Sequence, residues 1–341
     1  FESVPYLRNV EIPEGAEDWY GAGEVSAETG TMHDHCMRAF HRSASLTGEH
    51  GLALMGSGDW NDSMNRVGAR GKGESVWLSE FLCVAAERYA DNAFQNQVTD
   101  KSRPDFGGLF YSEYGVALPD HCSTAEFIPV IGFLYYEKTS KFYHSSDLRQ
   151  RLFDALDYMK RCTREDGLID LRFNNYDSPP DTAFAITPIG YLAYAAKQMD
   201  DTKLYTALME FLVPSAVAVA KGGFHTPNHR WVICAALALI MALEPEKCDF
   251  SDVLDSYLKE GIDINSDGLF TERSLGVYDQ ILSKKMLILS ECCKSKLYSA
   301  EDFLKIVDVN LKNRLDFTDF DNIVDTDISG RQDYGKKYEL G

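Results

Sequence analysis

The chain has 341 residues, 45% of them apolar and 26% charged, a globular composition that excludes a disordered chain. Its net charge of −19 argues against general nucleic-acid binding and against an anionic membrane surface, but not against a neutral sugar. The longest apolar run, Trp231 to Leu243, is shorter than the ~20 residues a bilayer span takes and reads as a buried helix. The cysteines are scattered without CxxC spacing, so no disulfide framework and no zinc site is expected, and a cytoplasmic location is. Aromatic residues make up 12%, which suits a carbohydrate cleft and equally an ordinary core.

In chain order, the first thirty or so residues read as irregular and acidic. A helix is predicted from Ser26 to Thr47, then a glycine-rich loop from Gly48 to Gly73. A second helix, about Glu74 to Gln97, carries Val76, Trp77, Phe81, Val84 and Ala85 at helical spacing. The turn-rich stretch Thr99 to Tyr111 marks a domain boundary, giving units of 1–98 and 99–341. Helical patterns follow at 123–138, 147–164, 182–199, 202–221, 229–243, 251–261, 276–295 and 300–313. Two connections between them are alike, Arg164 to Ile169 and Ile264 to Phe270, each with an Asp-Gly turn and a short β-like stretch. Helices in hairpin succession predict an all-α fold, an (α/α) toroid or barrel; no fixed period supports an extended repeat array.

The loop Gly48 to Gly68 holds the first candidate site. Glycines there let backbone approach a ligand. Asp59 and Asp62 flank Trp60 and Asn61. A carboxyl beside an indole is partly desolvated, which keeps a proton available for a glycosidic oxygen. Such a loop can also be a turn with a buried anchor. The string Gly56-x-Gly58-Asp59-Trp60-Asn61-Asp62-x-Met64-Asn65-Arg66-Val67-Gly68, with Gly71-Lys72-Gly73-Glu74-Ser75-Val76-Trp77-Leu78, closely resembles glycoside hydrolase family 94, from about Phe1 to about Ala90. The likeness is to cyclic β-1,2-glucan synthases and to cellobiose and chitobiose phosphorylases. It implies an inverting phosphorylase on an (α/α)6 barrel, with Asp62 as general acid. Trp60, Asp59, Asn61, Arg66 and Glu74 would bind sugar. No cofactor is implied; inorganic phosphate would be co-substrate. Ser63 stands where the family has Gly, and the family's phosphate-binding segments have no counterpart after residue 100.

The second half does not continue that pattern. Gly223 to Trp231, Thr271 to Ser274, Tyr278 and Gly330 to Asp333 look like a bacterial α/α-toroid group related to heparinase-type lyases. Elimination at a uronic acid needs a carboxylate neutraliser, a base and an acid. His225, Asn228, His229, Arg230, Tyr278 and Arg331 could supply them. Alternatively Asn228 only caps a helix beginning at His229. Asp263-x-Asn265-x-Asp267-Gly268 starts like a calcium loop but lacks the closing Glu, so a turn is expected and no metal. The acidic run Asp316, Asp319, Asp321 reads as solvated surface, and His33, His35, His41 and His144 as structural or surface residues. The expected partners are an oligo- or polysaccharide and the remainder of a longer protein, with no nucleic acid and no membrane span. A non-catalytic carbohydrate-binding role stays open beside the two enzymatic ones.

Overall fold

The computed structural model describes residues 3–8, 24–31, 35, 39, 47–55, 72–171, 175–224, 226–318 and 323–339. Two strands come first, β1 (Ser3–Arg8) and β2 (Glu24–Thr31), paired antiparallel with Ser3 opposite Thr31 and Arg8 opposite Glu24. This corrects two expectations, the irregular start and the beginning of the predicted helix at Ser26. Val25, Thr29, Gly30 and Thr31 are poor helix formers, and β-branched residues fit a pleated ribbon. The predicted end of that helix is also extended, since Thr47 bridges to Ala53.

Helix α1 (Val76–Asn96) starts where expected, with Ser75 accepting the Leu78 N–H as its cap. Its Ala90 and Ala93 enter the core. Val76, Trp77, Phe81 and Val84 instead form an exposed face among the described residues, with Trp77 and Phe81 stacked. A short hairpin, β3 (Leu109–Tyr111) with β4 (Val116–Leu118), leads into the main helical body. That body comprises α2 (Thr124–Tyr136), α3 (Ser146–Cys162), α4 (Pro179–Gln198), α5 (Thr202–Val219), α6 (Pro227–Leu243), α7 (Ser251–Lys259), α8 (Tyr278–Cys292) and α9 (Ala300–Asp316). The pair β5 (Ile323–Val324) and β6 (Tyr338–Glu339) closes the chain order.

Each predicted helix of the second half is present. They pack as hairpins, α2 on α3, α4 on α5, α6 on α7 and α8 on α9. The first member of each hairpin forms an inner row, α2 against α4, α4 against α6, α6 against α8. The architecture is therefore all-α, hairpin after hairpin, as a toroid requires, and no closed sheet occurs among the described residues. Inner helices approach closely through glycines: Gly132 of α2 faces Leu192 of α4, and Gly190 of α4 faces Leu239 of α6. Helix α6 is the most enclosed; Trp231 through Leu239 is buried without a break. By length and composition α5 could cross a membrane, the one such helix among the described residues, but half of that stretch is buried inside the fold.

The connections repeat one device. After α1, α3 and α7 the chain turns at a glycine with positive φ: Gly107 at +88°, Gly167 at +95°, Gly268 at +89°. Each glycine sits against a carbonyl of the next outer helix, Asp154 on α3, Pro214 on α5 and Val309 on α9. The two alike turns close with the same bonds: Arg164 N–H to Leu168 O and Gly167 N–H to Arg164 O; Asn265 N–H to Leu269 O and Gly268 N–H to Asn265 O. Two residues past the glycine, a backbone N–H is received by the start of the next inner helix. Thr124 Oγ1 takes Leu109 N–H at 2.9 Å, and Thr182 Oγ1 takes Ile169 N–H at 3.0 Å. In the third unit the Asp279 carboxyl takes that of Phe270.

Asp279 differs chemically from the threonines. Burial pushes its carboxyl up to about 7, although the Asn310 side chain, 2.7 Å away, and nearby Arg314 favour the ion. Its folded pKa lies above its unfolded one, so its contribution is fully present below about pH 4 and falls as pH rises toward 7. Asp279→Asn is expected to remove that slope, so that the variant gains stability over the parent at pH 8 and little at pH 4, measured by urea unfolding. Gly167→Ala places a Cβ 2.7 Å from the Pro214 carbonyl and is expected to cost more than about 2 kcal/mol; Gly261→Ala, with φ +86° and open space, about 1 kcal/mol. Chemical denaturation of the two variants checks the difference.

Candidate functional site

Of the first-half candidates, Asp59, Trp60, Asn61, Asp62 and Arg66 lie outside the described residues, as do His33 and His41. Glu74 is described. It bridges to Leu54, its Oε1 accepts the His50 N–H at 2.9 Å, and the His50 ring lies 3.4 Å away. It thus ties the two ends of the glycine-rich loop together. His35 stacks on Tyr6 and contacts the Val4 carbonyl at 3.1 Å; His144 stacks between Tyr135 and Tyr143.

In the second half, His225 lies outside the described residues, and the other candidates fall into two groups. In one, Asn228, Tyr278 and Arg331 are linked through Glu272, and His229, next to Asn228, meets Phe184. Helix α6 begins at Pro227, so Thr226 takes the cap position and Asn228 lies inside the first turn, not at the cap. Pro227 suits that start because its missing N–H would be unpaired there in any case. The buried Asn228 N–H donates to Glu272 Oε2 at 2.9 Å, and Arg331 Nη1 pairs with Glu272 Oε1 at 2.8 Å. The Arg331 guanidinium lies 5.1 Å from the Tyr278 ring centre, and Gln332 Nε2 donates to the Tyr278 hydroxyl at 2.8 Å. Arg331 is placed by its neighbour: the buried Asp333 carboxylate accepts from Gly276 N–H and Ser329 Oγ, stitching 329–333 onto 274–276.

Arg230 belongs elsewhere. Its guanidinium pairs with Glu260 at 2.9 Å and Asp263 at 2.7 Å, and lies over Trp231. A helix turns by about 100° per residue, so adjacent His229 and Arg230 leave on different faces. The same contacts settle the calcium-like loop. Asp263 is taken by Arg230 and the Trp231 indole N–H, and Asn265 Oδ1 accepts the Asp267 and Leu269 N–H groups. The expected turn is what forms, and the described residues contain no His, Cys, Asp and Glu grouping suited to a metal.

Sequence reasoning passed over several members of this cleft. Phe184 of α4 is its hub. His121, just before α2, stacks on Phe184 with centres 4.8 Å apart; His229 meets the ring edge-on at 6.5 Å; Lys285 Nζ of α8 lies 5.6 Å from its centre. Each inner helix or its entry thus contributes one side chain. Burial pushes the His121 imidazole down and so keeps it neutral near pH 7, against the pull of Asp120 and Asp181. Burial also raises the Asp120 carboxyl. Asp181 is held by Ser178 Oγ and Asn175 Nδ2. The signal for His121 was local: Asp120-His121 precedes α2 much as Asn228-His229 opens α6. Glu272, 3% exposed, stood out only as part of the stretch Thr271 to Ser274 and without a role, because it acts through partners far away in sequence.

A neutral imidazole can accept a proton, and a tyrosine hydroxyl can donate or accept one. Acid–base work on a polar substrate is within reach of this arrangement.

Residues 10–104 match the glycosyl hydrolase 94 superfamily, catalytic domain. Cyclic beta-(1,2)-glucan synthase NdvB of Rhizobium meliloti (strain 1021) is 44% identical over 81 residues, 24% of this chain and 3% of that protein. Solabiose phosphorylase of Paenibacillus borealis is 41% identical over 92 residues, 27% of this chain and 10% of that protein. The match therefore spans only a small part of these relatives. Among solved structures, a Paenibacillus xanthan lyase superposes with a TM-score of 0.46 and 13% identity, covering 83% of this chain and 25% of that one.

Removing Arg331 would strand a buried carboxylate. Arg331→Met is expected to destabilise by about 2 kcal/mol, since Arg331 itself is partly exposed. Adding Glu272→Gln should recover most of the loss. A double-mutant cycle by urea denaturation measures the coupling.

Proposed function

We propose that the chain is a carbohydrate-active protein whose first segment works as a family 94-type inverting glycoside phosphorylase on β-glucan, with Asp62 as general acid. The match of residues 10–104, which contains the string Gly56 to Gly68, is the observation that supports this. In the proposed step a phosphate oxygen bonds to the anomeric carbon from the face opposite the leaving group. The bond from that carbon to the glycan oxygen breaks, and Asp62 gives that oxygen its proton. Trp60 would stack on a sugar face, with Asp59, Asn61 and Arg66 beside it and Glu74 holding the loop. The proposed setting is cytoplasmic, within a longer protein.

A second reading rests on His121 and His229 meeting at Phe184, with Asn228 beside His229 and linked through Glu272 and Arg331 to Tyr278. It makes the inner cleft a site for elimination at, or hydrolysis of, an acidic polysaccharide. For elimination, His229 or Tyr278 would take the proton next to the uronate carboxylate, and the other would protonate the departing oxygen.

Oligosaccharide panels with and without phosphate, followed by mass spectrometry, separate the two. A sugar 1-phosphate that disappears in Asp62→Asn, at least a hundredfold, is expected from the first. His229→Ala should leave that product unchanged and remove only an unsaturated one. Turnover that survives Asp62→Asn rules out the general-acid assignment.

A further inference from the structure

Two cations lie beside α8 side chains or on α8 itself, Arg331 at Tyr278 and Lys285 at Phe184, and their surroundings differ. Arg331 is already neutralised: its guanidinium pairs at 2.8 Å with Glu272, whose side chain is fully enclosed. It stabilises that carboxylate and leaves little charge for a ligand. Lys285 has no ion pair among the described residues. It lies two helical turns past Tyr278 on the same face of α8, since seven residues bring the helix round again. Its Nζ lies over Phe184, which also carries His121 and His229. The ammonium is thus held half-buried over an aromatic ring, among imidazoles.

We propose that Lys285 is the oxyanion-binding residue of the inner cleft, receiving the carboxylate of a uronic-acid sugar or a phosphate group. This rests on reading the cleft as a sugar site. Three features support it besides position. Burial of the amine, with Lys284 adding to it, pushes its pKa down to about 8, and no carboxylate offsets this. A buried cation without a counter-ion is costly, and an incoming anion removes that cost. The whole chain carries a net charge of −19 and would repel anions, so an anionic ligand needs a local cation of this kind.

The test is calorimetric binding on the intact chain, with a glucuronate-containing tetrasaccharide, its carboxyl-reduced neutral counterpart, and inorganic phosphate. The expected result is at least tenfold tighter binding of an acidic probe than of the neutral sugar. Lys285→Gln should abolish that preference without weakening the neutral sugar, and Lys285→Arg should keep it. Preference for the uronate identifies a sugar carboxylate as the anion; binding of phosphate that competes with the uronate identifies a shared oxyanion pocket. Equal binding of acidic and neutral probes, an unchanged preference in Lys285→Gln, or no binding of either anion overturns the proposal. Anion binding without an unsaturated product would leave Lys285 as assigned and discard only elimination chemistry.

Discussion

Contact between a left-handed glycine and the backbone of the next outer helix is the constraint on which the helical body depends. At Gly167 and Gly268 any side chain would occupy the space of a carbonyl, so the turn closes only because Cβ is missing. Because the turn is seated on the following hairpin rather than its own, each unit fixes the next. The N–H that follows is received by Thr124, Thr182 or Asp279, which sets where α2, α4 and α8 start. The inner helices therefore begin at one end of the row, and their first turns face one another.

That end is where polar residues gather. Helix N-termini carry unpaired N–H groups and a partial positive charge, so Asp120, Asp181 and Glu272 can be enclosed there at reduced cost. Phe184 then supplies a surface that two imidazoles and one ammonium share. Glu272 locks Arg331 to the first turn of α6, while Asp333 holds the segment that carries it. The polar residues at this end thus come from segments more than two hundred residues apart, from Asp120 to Gln332.

The segment that resembles a known catalytic domain and the segment that carries the cleft meet through α1 and the turn after it. Gln97 donates to the Gly107 and Arg151 carbonyls, and Val98 joins the same apolar core as Ala90, Ala93 and Ala117. Arg103 holds the Asp105 carboxyl down at about 2, and Asp105 in turn accepts the Ala117 N–H. This turn passes the chain from the family 94-like stretch into the first inner helix.

Much of this was legible in the sequence. Apolar spacing placed the helices from Thr124 to Asp316, and Asp-Gly pairs placed two of the turns, because both are written in neighbouring residues. The Gly56 to Gly68 string carried the family likeness for the same reason. The strand pair at the start escaped because its partner residues lie far apart, with Ser3 against Thr31. The repeat escaped because its glycines fall at unequal intervals and the receiving group changes from threonine to aspartate. Which of two adjacent residues, His229 or Arg230, faces the cleft depends on how α6 is rotated against its neighbours, and that is a matter of packing. Helices and turns are local and follow from the chain alone; the meeting of His121, Phe184, His229 and Lys285 is long-range, and only the packed inner row decides it.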